Sequence, residues 1–165
     1  QKIVEEHHFH LIDWNNIEKT MSTLPKMLQV WITKHVSGFC GTNKHLSRLD
    51  NSHSSRCNCC GAQEESTQHI TRCTNPGRTK MFHETVSDLV HWMRQKNGHP
   101  LLAQAIQSYL TNRGRIRMSK ICSHWPSLSS FSRDHDNLGW DSFIMGRISK
   151  SLLAIQQSHL TQVGS

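Results

Sequence analysis

Four residues near the middle of the chain constrain it most, because their types and spacing suit a single metal ion. Cys57 and Cys60 form a C-x2-C pair, and an eight-residue gap separates them from the H-x3-C pair His69 and Cys73. A structural zinc ion takes four such ligands in a tetrahedron. The C-x2-C turn supplies two sulfurs, and Gly61 suits the backbone reversal that follows it. Because residues four apart share one helix face, the sequence predicts a structural Zn²⁺ site built from a turn and a helix.

Two neighbouring side chains leave alternatives open at this site. Cys59 could replace Cys57 as a ligand, and His53 could act as a spare one. Disulfides and buried free thiols are the competing interpretations. Three cysteines crowded into residues 57–60 suit bridges poorly, and a stretch rich in Ser, Asn and Arg is a poor place for a core. No signal peptide opens the sequence, so we expect a reducing, intracellular location, nuclear or cytoplasmic. Two further thiols are expected to be small buried side chains: Cys40 and Cys122.

The positive charge is concentrated in one part of the chain. The net charge is +7, and residues 70–120 hold nine Lys and Arg against two Asp and Glu. A one-sided basic surface attracts phosphate backbones, so we expect RNA or DNA as a partner, with a merely solvated basic surface as the alternative. The candidate nucleic-acid-binding residues are Arg72, Arg78, Lys80, Arg113, Arg115 and Arg117.

The hydrophobic pattern predicts a mostly α fold around the small CCHC zinc turn. We expect an N-terminal helical segment at 1–56, the zinc module at 57–77 and a C-terminal helical segment at 78–165, packed as one unit. Helical periodicity occurs after an Asp13 cap and at 25–38, 82–98, 100–114 and 140–155. Residues 41–56, 75–77 and the Ser-rich stretch 123–137 are expected to be irregular. No apolar run approaches the length of about 18 residues that a membrane span needs.

The tryptophans and the amino-terminal histidines are expected to have structural roles and not to bind a ligand or a metal. Four tryptophans fall on helical apolar faces and are predicted to be core, with base stacking as the alternative: Trp14, Trp31, Trp92 and Trp140. The His7-His8-Phe9-His10 run could bind metal, but we expect a frayed terminus.

Catalytic motifs are missing from the sequence. It contains no Gly-rich phosphate loop, no Gly-x-Ser-x-Gly elbow and no His-Glu-x-x-His helix. A zinc site with four protein ligands has no open position for water, so we expect no enzyme activity. Asp134, Asp136 and Asp141, with Lys150 beyond, could belong to a metal nuclease, but helix capping explains Asp136 and Asp141 more simply.

A longer pattern extends on both sides of the candidate metal ligands. Its central block reads Cys57-x-x-Cys60-Gly61, Glu64-Glu65-x-Thr67, His69-x-x-x-Cys73. The lead-in block reads Ile12-Asp13-Trp14, Leu24-Pro25, Trp31-Ile32-x-Lys34-x-x-x-Gly38-Phe39-Cys40-Gly41. The tail block reads Leu138-Gly139-Trp140-x-x-Phe143-x-x-Gly146-Arg147. In this order the three blocks resemble a module downstream of the reverse transcriptase domain in retrotransposon-type polyproteins of microbial eukaryotes. Four positions depart from the family pattern without removing a ligand: Asn58, Cys59, Asp136 and Leu138.

The resemblance implies that the Cys-Cys-His-Cys set holds zinc and that the helices serve the element's own nucleic acid. It also implies that the reverse transcriptase domain of the same polyprotein is a possible partner. The alternatives are a structural or protein-interaction module, in which the basic segment docks on an acidic domain, and a nuclease remnant. Because the sequence begins at Gln1 and lacks polymerase carboxylates, we expect a piece of a longer protein.

Overall fold

The structure is a computed structural model that describes residues 6–164, apart from the side chain of His7. Within that range, 3₁₀ helices cover Glu6–Leu11 and Pro126–Leu128. The α-helices are α1 (Trp14–Thr23), α2 (Lys26–Ser37), α3 (Asn43–Leu49), α4 (Thr67–Arg72), α5 (Pro76–Gln95), α6 (Pro100–Thr111), α7 (Met118–Ile121), α8 (Ser129–Ile144) and α9 (Lys150–Val163). The described residues form no strand, only an isolated bridge between Ile12 and Ser149. The prediction of a mostly α fold is confirmed, and none of the described helices has the length and apolarity to cross a membrane.

The chain divides into two compact units. The first comprises Gln1–Ile17 and His83–Ser165, and the second comprises Glu18–Phe82. In the first unit, α8 packs against α7, α9 and both 3₁₀ helices, and the ring of Tyr109 lies 5.6 Å from Trp140 and 5.3 Å from Phe143 between centroids. Its buried apolar side chains are Ile12, Val86, Val90, Leu102, Ala103, Ala105, Ile106, Tyr109, Leu110, Met118, Cys122, Leu128, Phe131, Leu138, Trp140 and Phe143. The first unit therefore has an ordinary hydrophobic core.

The second unit has a different interior. The buried residues among its described positions are Thr42, Asn43, Cys57, Glu65, Thr67 and Cys73. None of them is a large aliphatic or aromatic side chain, and α1 and α2 bury no residue at all. Since burial of apolar area is the main driving force of folding, this unit needs another source of stability.

The Ser-rich stretch 123–137 is helical where a loop was expected. Pro126 opens a 3₁₀ turn and α8 follows at Ser129. Phe131, His135 and Leu138 recur at helical spacing and are all buried, so tertiary packing overrides the weak helix propensity of serine. The prediction of a single helix over 140–155 is also wrong, because α8 ends at Ile144 and α9 begins at Lys150.

Three further local expectations are corrected. Thr42 accepts a hydrogen bond from the His45 amide and starts α3 inside the stretch 41–56, which was expected to be irregular. Asn75 accepts from the Arg78 amide and caps α5, so Asn-Pro-Gly opens a helix instead of forming a turn. Within the histidine run, residues 6–11 form a 3₁₀ helix and are not frayed.

Most tryptophans are not core residues, contrary to the sequence prediction. Trp140 is 5 % exposed, but Trp14, Trp31 and Trp92 are 41 %, 57 % and 54 % exposed. An apolar stripe predicts burial only where another element packs on it, and α1 and α2 have no buried position. The exposed aromatic rings therefore need a different interpretation.

Candidate metal centre

Cys57, Cys60, His69 and Cys73 converge on one point. One ligand atom from each of the four lies within 4.8 Å of the others. The Sγ atoms of Cys57 and Cys73 are 3.9 Å apart, and Cys60 Sγ is 3.3 Å from His69 Nε2. Three sulfurs and one imidazole nitrogen at these separations can hold a metal ion, and the four predicted ligands are the ones brought together.

A tight turn positions the first two ligands. The Gly61 amide donates to the Cys57 carbonyl at 2.8 Å, and the Cys57 amide donates to the Ala62 carbonyl at 2.9 Å. Gly61 has a φ of 74°, a left-handed conformation in which a side chain would be strained. The turn thereby reverses the chain directly after Cys60, as the sequence predicted.

Helix α4 positions the other two ligands. Ser66 caps the helix by accepting a hydrogen bond from the His69 amide at 3.1 Å. His69 lies inside α4 and Cys73 is the residue that ends it, with an extended ψ of 131°. The four-residue spacing therefore brings both side chains to one side of a single short helix.

The three thiols differ in how readily they ionise. Burial alone would raise the pKa of Cys57, but the backbone amides of Cys60 and Cys59 outweigh burial and lower it. The Ala62 amide lowers the pKa of Cys60, whereas burial raises the pKa of Cys73. A cysteine binds a metal ion as the thiolate. The protein itself favours the thiolate at Cys57 and Cys60, whereas ionisation of Cys73 depends most on a bound cation.

A buried carboxylate, that of Glu65, lies beside the cluster and is held by hydrogen bonds. Glu65 accepts hydrogen bonds from the Arg78 guanidinium at 2.9 Å and from the Asn43 amide at 3.2 Å. Burial alone would raise the pKa of Glu65, but the Asn43 amide and Arg78 together keep it below its usual value. Arg78 Nη1 also lies 4.0 Å from Cys57 Sγ. This network was not predicted from the sequence. Its one sign in the sequence was the presence of Glu65 in the central block of the motif, residues 57–73.

The two alternative ligands lie outside the cluster. Cys59 is exposed, and its carbonyl accepts a hydrogen bond from the Asn75 side chain at 3.0 Å. His53 Nε2 contacts Asn43 Oδ1 at 3.1 Å, so it packs beside the supporting network. Of the two remote thiols, Cys122 is buried, with a pKa raised by burial to about 11, and Cys40 is half-buried.

The predicted nucleic-acid-binding residues are distributed over both units. Arg72, Arg78 and Lys80 belong to the second unit, and Arg113, Arg115 and Arg117 belong to the first. Arg72, Lys80, Arg115 and Arg117 are exposed, whereas Arg78 is half-buried against Glu65. Arg113 is 8 % exposed and has a φ of 51°. Burial leaves the Arg113 guanidinium little surface for a phosphate.

The acidic residues considered for a nuclease have structural partners. Asp134 accepts a hydrogen bond from the Ser151 hydroxyl, and Asp136 accepts from the amide and hydroxyl of Ser119. Among the described residues, the cysteine and histidine set is the only cluster with metal-holding geometry. The aspartates therefore tie α8 to α7 and α9.

Comparisons with known proteins found no relative of this chain. No protein-family model matches the chain, and neither the curated proteins nor the solved structures contain a match. Inferences about function therefore depend on the residues and on the site geometry.

Proposed function

We propose that this chain is a non-catalytic, zinc-stabilised module of a retroelement protein that binds RNA or DNA, mainly through phosphate contacts. The motif resemblance supports the origin, and the geometry of the metal centre supports the zinc. The charge of the unit that carries the centre supports the ligand class.

The donor set favours zinc over other common metals. Thiolates and imidazole suit zinc, whereas magnesium and calcium prefer oxygen ligands. A zinc tetrahedron with bonds of about 2.3 Å has sulfur–sulfur edges of about 3.8 Å. The Cys57 and Cys73 sulfurs are 3.9 Å apart. Four protein ligands leave no position for a reacting water, so the ion's role is to hold the second unit together.

The excess positive charge of the second unit is the observation that carries nucleic-acid binding. Residues 18–82 contain nine Lys and Arg against four Asp and Glu: Lys19, Lys26, Lys34, Lys44, Arg48, Arg56, Arg72, Arg78 and Lys80 against Glu18, Asp50, Glu64 and Glu65. Two of those carboxylates pair internally, Glu64 with Lys44 and Glu65 with Arg78. Zinc with three thiolates contributes only one negative charge, so the unit stays strongly basic and attracts polyanions.

Exposure selects, within each unit separately, the residues that we propose to contact phosphate. Arg72 and Lys80 are exposed in the second unit, and Arg115 and Arg117 are exposed in the first. We leave out Arg113, which is buried, and Arg78, which has the Glu65 carboxylate as its partner. Guanidinium groups suit phosphate geometry, and such contacts position a nucleic acid without reading its sequence.

A structural or protein-interaction module is the second candidate. Leu49 and Met81 are 74 % and 64 % exposed in the second unit, and exposed apolar surface marks protein contacts where it is contiguous. The reverse transcriptase domain of the same polyprotein would be the partner in that case.

A salt titration tests nucleic-acid binding. Fluorescence anisotropy of the zinc-loaded full chain would be measured with labelled single-stranded RNA and with duplex DNA, at 50 and 200 mM salt. With about four phosphate contacts, duplex affinity should fall about a hundredfold over that range. Absence of salt-sensitive binding to either nucleic acid would contradict the proposal, and nicking lost in Asp134→Ala and Asp136→Ala would contradict its non-catalytic part.

A matched pair of arginine variants locates the contacts. Arg117→Gln should weaken binding and reduce the steepness of the salt dependence, because one phosphate contact is lost. Arg133→Gln removes another exposed arginine, which is not among the proposed phosphate contacts, and should leave both unchanged. Equal effects of the two variants would show that only total charge matters.

The supporting carboxylate should tune zinc affinity. Glu65→Gln weakens the acceptor that holds Arg78 beside Cys57, so zinc should bind about tenfold to a hundredfold more weakly. Glu64→Gln makes the same change at the adjacent exposed position, whose partner is Lys44, and should not alter zinc affinity. Competition with a chromophoric chelator measures both constants, and an unchanged value for Glu65→Gln would remove Glu65 from the centre.

A further inference from the structure

The exposed face of α2 carries a stacked pair of rings. Trp31 is 57 % exposed, and its ring lies parallel to the His35 imidazole, with 5.2 Å between centroids and 16° between planes. No residue of α2 is buried. Burial lowers the pKa of His35, which favours the neutral form of its imidazole. The two rings are therefore stacked face against face, and more than half of the Trp31 side chain stays accessible to solvent.

The stretch of sequence that carries this pair of rings contains no acidic residue. Residues 19–49 contain no Asp or Glu and five cationic side chains: Lys19, Lys26, Lys34, Lys44 and Arg48. Lys34 follows Trp31 by three positions, which makes the two neighbours on the helix surface. A ring platform beside an ammonium group complements a ligand that offers a flat aromatic group next to a phosphate.

Resting on the proposed function, we propose that Trp31, backed by the stacked His35 ring, stacks an unpaired base of single-stranded RNA or DNA while Lys34 contacts the adjacent phosphate. Bases in a duplex are already stacked on their neighbours, whereas unpaired bases can lie on aromatic rings. The absence of carboxylates over residues 19–49 favours a polyanion over an apolar peptide. We therefore expect this protein to prefer single-stranded nucleic acid over a duplex.

Alanine substitution of Trp31 tests the platform. Zinc-loaded full chain would be titrated with a labelled oligouridine and with a duplex of equal length at 100 mM salt. Trp31→Ala should weaken oligouridine binding about fivefold to a hundredfold and leave duplex binding unchanged. Trp31→Phe keeps a ring and should retain most of the affinity. Unchanged oligouridine binding by Trp31→Ala would overturn the platform.

Trp92→Ala is the matched control. Trp92 is a similarly exposed tryptophan on α5, at 54 %, and its removal should not alter oligouridine binding. Equal losses in Trp31→Ala and Trp92→Ala would overturn the assignment to α2. Circular dichroism and zinc content of each variant verify that the fold is intact.

Two further outcomes separate this inference from the proposed function. If wild-type protein binds neither nucleic acid, the proposed function fails and the platform fails with it. If wild-type protein binds with salt sensitivity while Trp31→Ala changes only sedimentation behaviour, the α2 face is a protein contact. In that case the platform alone is overturned.

Discussion

Chelating zinc should unfold the second unit while the first unit keeps its core. The buried residues of the second unit include two ligand cysteines and no large aliphatic side chain. Zinc binding to small zinc-finger domains contributes about 10–16 kcal/mol, as much as the whole stability of an ordinary domain. Hydrogen exchange with and without a chelator should therefore show lost protection in α3 and α4 and retained protection in α6.

Two cysteine variants make this prediction specific. Cys73→Ser removes a buried ligand and should give the exchange pattern of the chelated protein even with excess zinc. Cys59→Ser changes an exposed thiol outside the cluster and should exchange like the wild type. Full protection of α3 and α4 in the chelated protein would show that the unit is stable without metal.

Acid should destabilise the first unit through His135. This side chain is 0 % exposed, neither ring nitrogen has a hydrogen-bond partner, and the rings of Phe131 and Phe143 lie 4.9 and 5.2 Å away. Burial lowers the pKa of His135 to about 4 from the usual 6.5. The unfolded chain thus takes up a proton at a higher pH than the folded one. The stability of the neutral form is fully present above pH 6.5 and is lost as the pH falls toward 4, by about 3 kcal/mol.

His135→Phe should remove that acid sensitivity. The free energy of unfolding of the wild type minus that of His135→Phe should fall by about 3 kcal/mol between pH 7 and pH 4. Acid also releases zinc, but that loss affects both proteins equally and cancels in the difference. His124→Gln, at an exposed histidine, should follow the wild type. A difference that does not change with pH would mean that His135 takes up its proton as readily in the folded protein as in the unfolded chain.

The four residues of the candidate metal centre could be predicted from the sequence because each pair is local. Two cysteines in one turn and two ligands four apart on a helix need no knowledge of the rest of the chain. The supporting network could not be predicted, since it joins Glu65 to Asn43, 22 residues away. Hydrogen bonds of that separation depend on tertiary packing, which no periodic pattern encodes.

Helix α8 and the tryptophans show why other parts of the fold could not be predicted from the sequence. Serine-rich composition indicated a loop at 123–137, but Phe131 and Leu138 are buried and draw the segment into a helix. Trp31 lies on an apolar stripe, yet its side chain is 57 % exposed. Periodicity reports which side chains could be buried together, and the packing partner decides whether they are.

Zinc-edge X-ray absorption of the purified chain tests the central claim most directly. The account predicts one zinc per chain, bound by three sulfurs at about 2.3 Å and one imidazole nitrogen at about 2.0 Å. Purified protein without stoichiometric zinc, or a shell containing water or carboxylate oxygen in place of a sulfur, would contradict it.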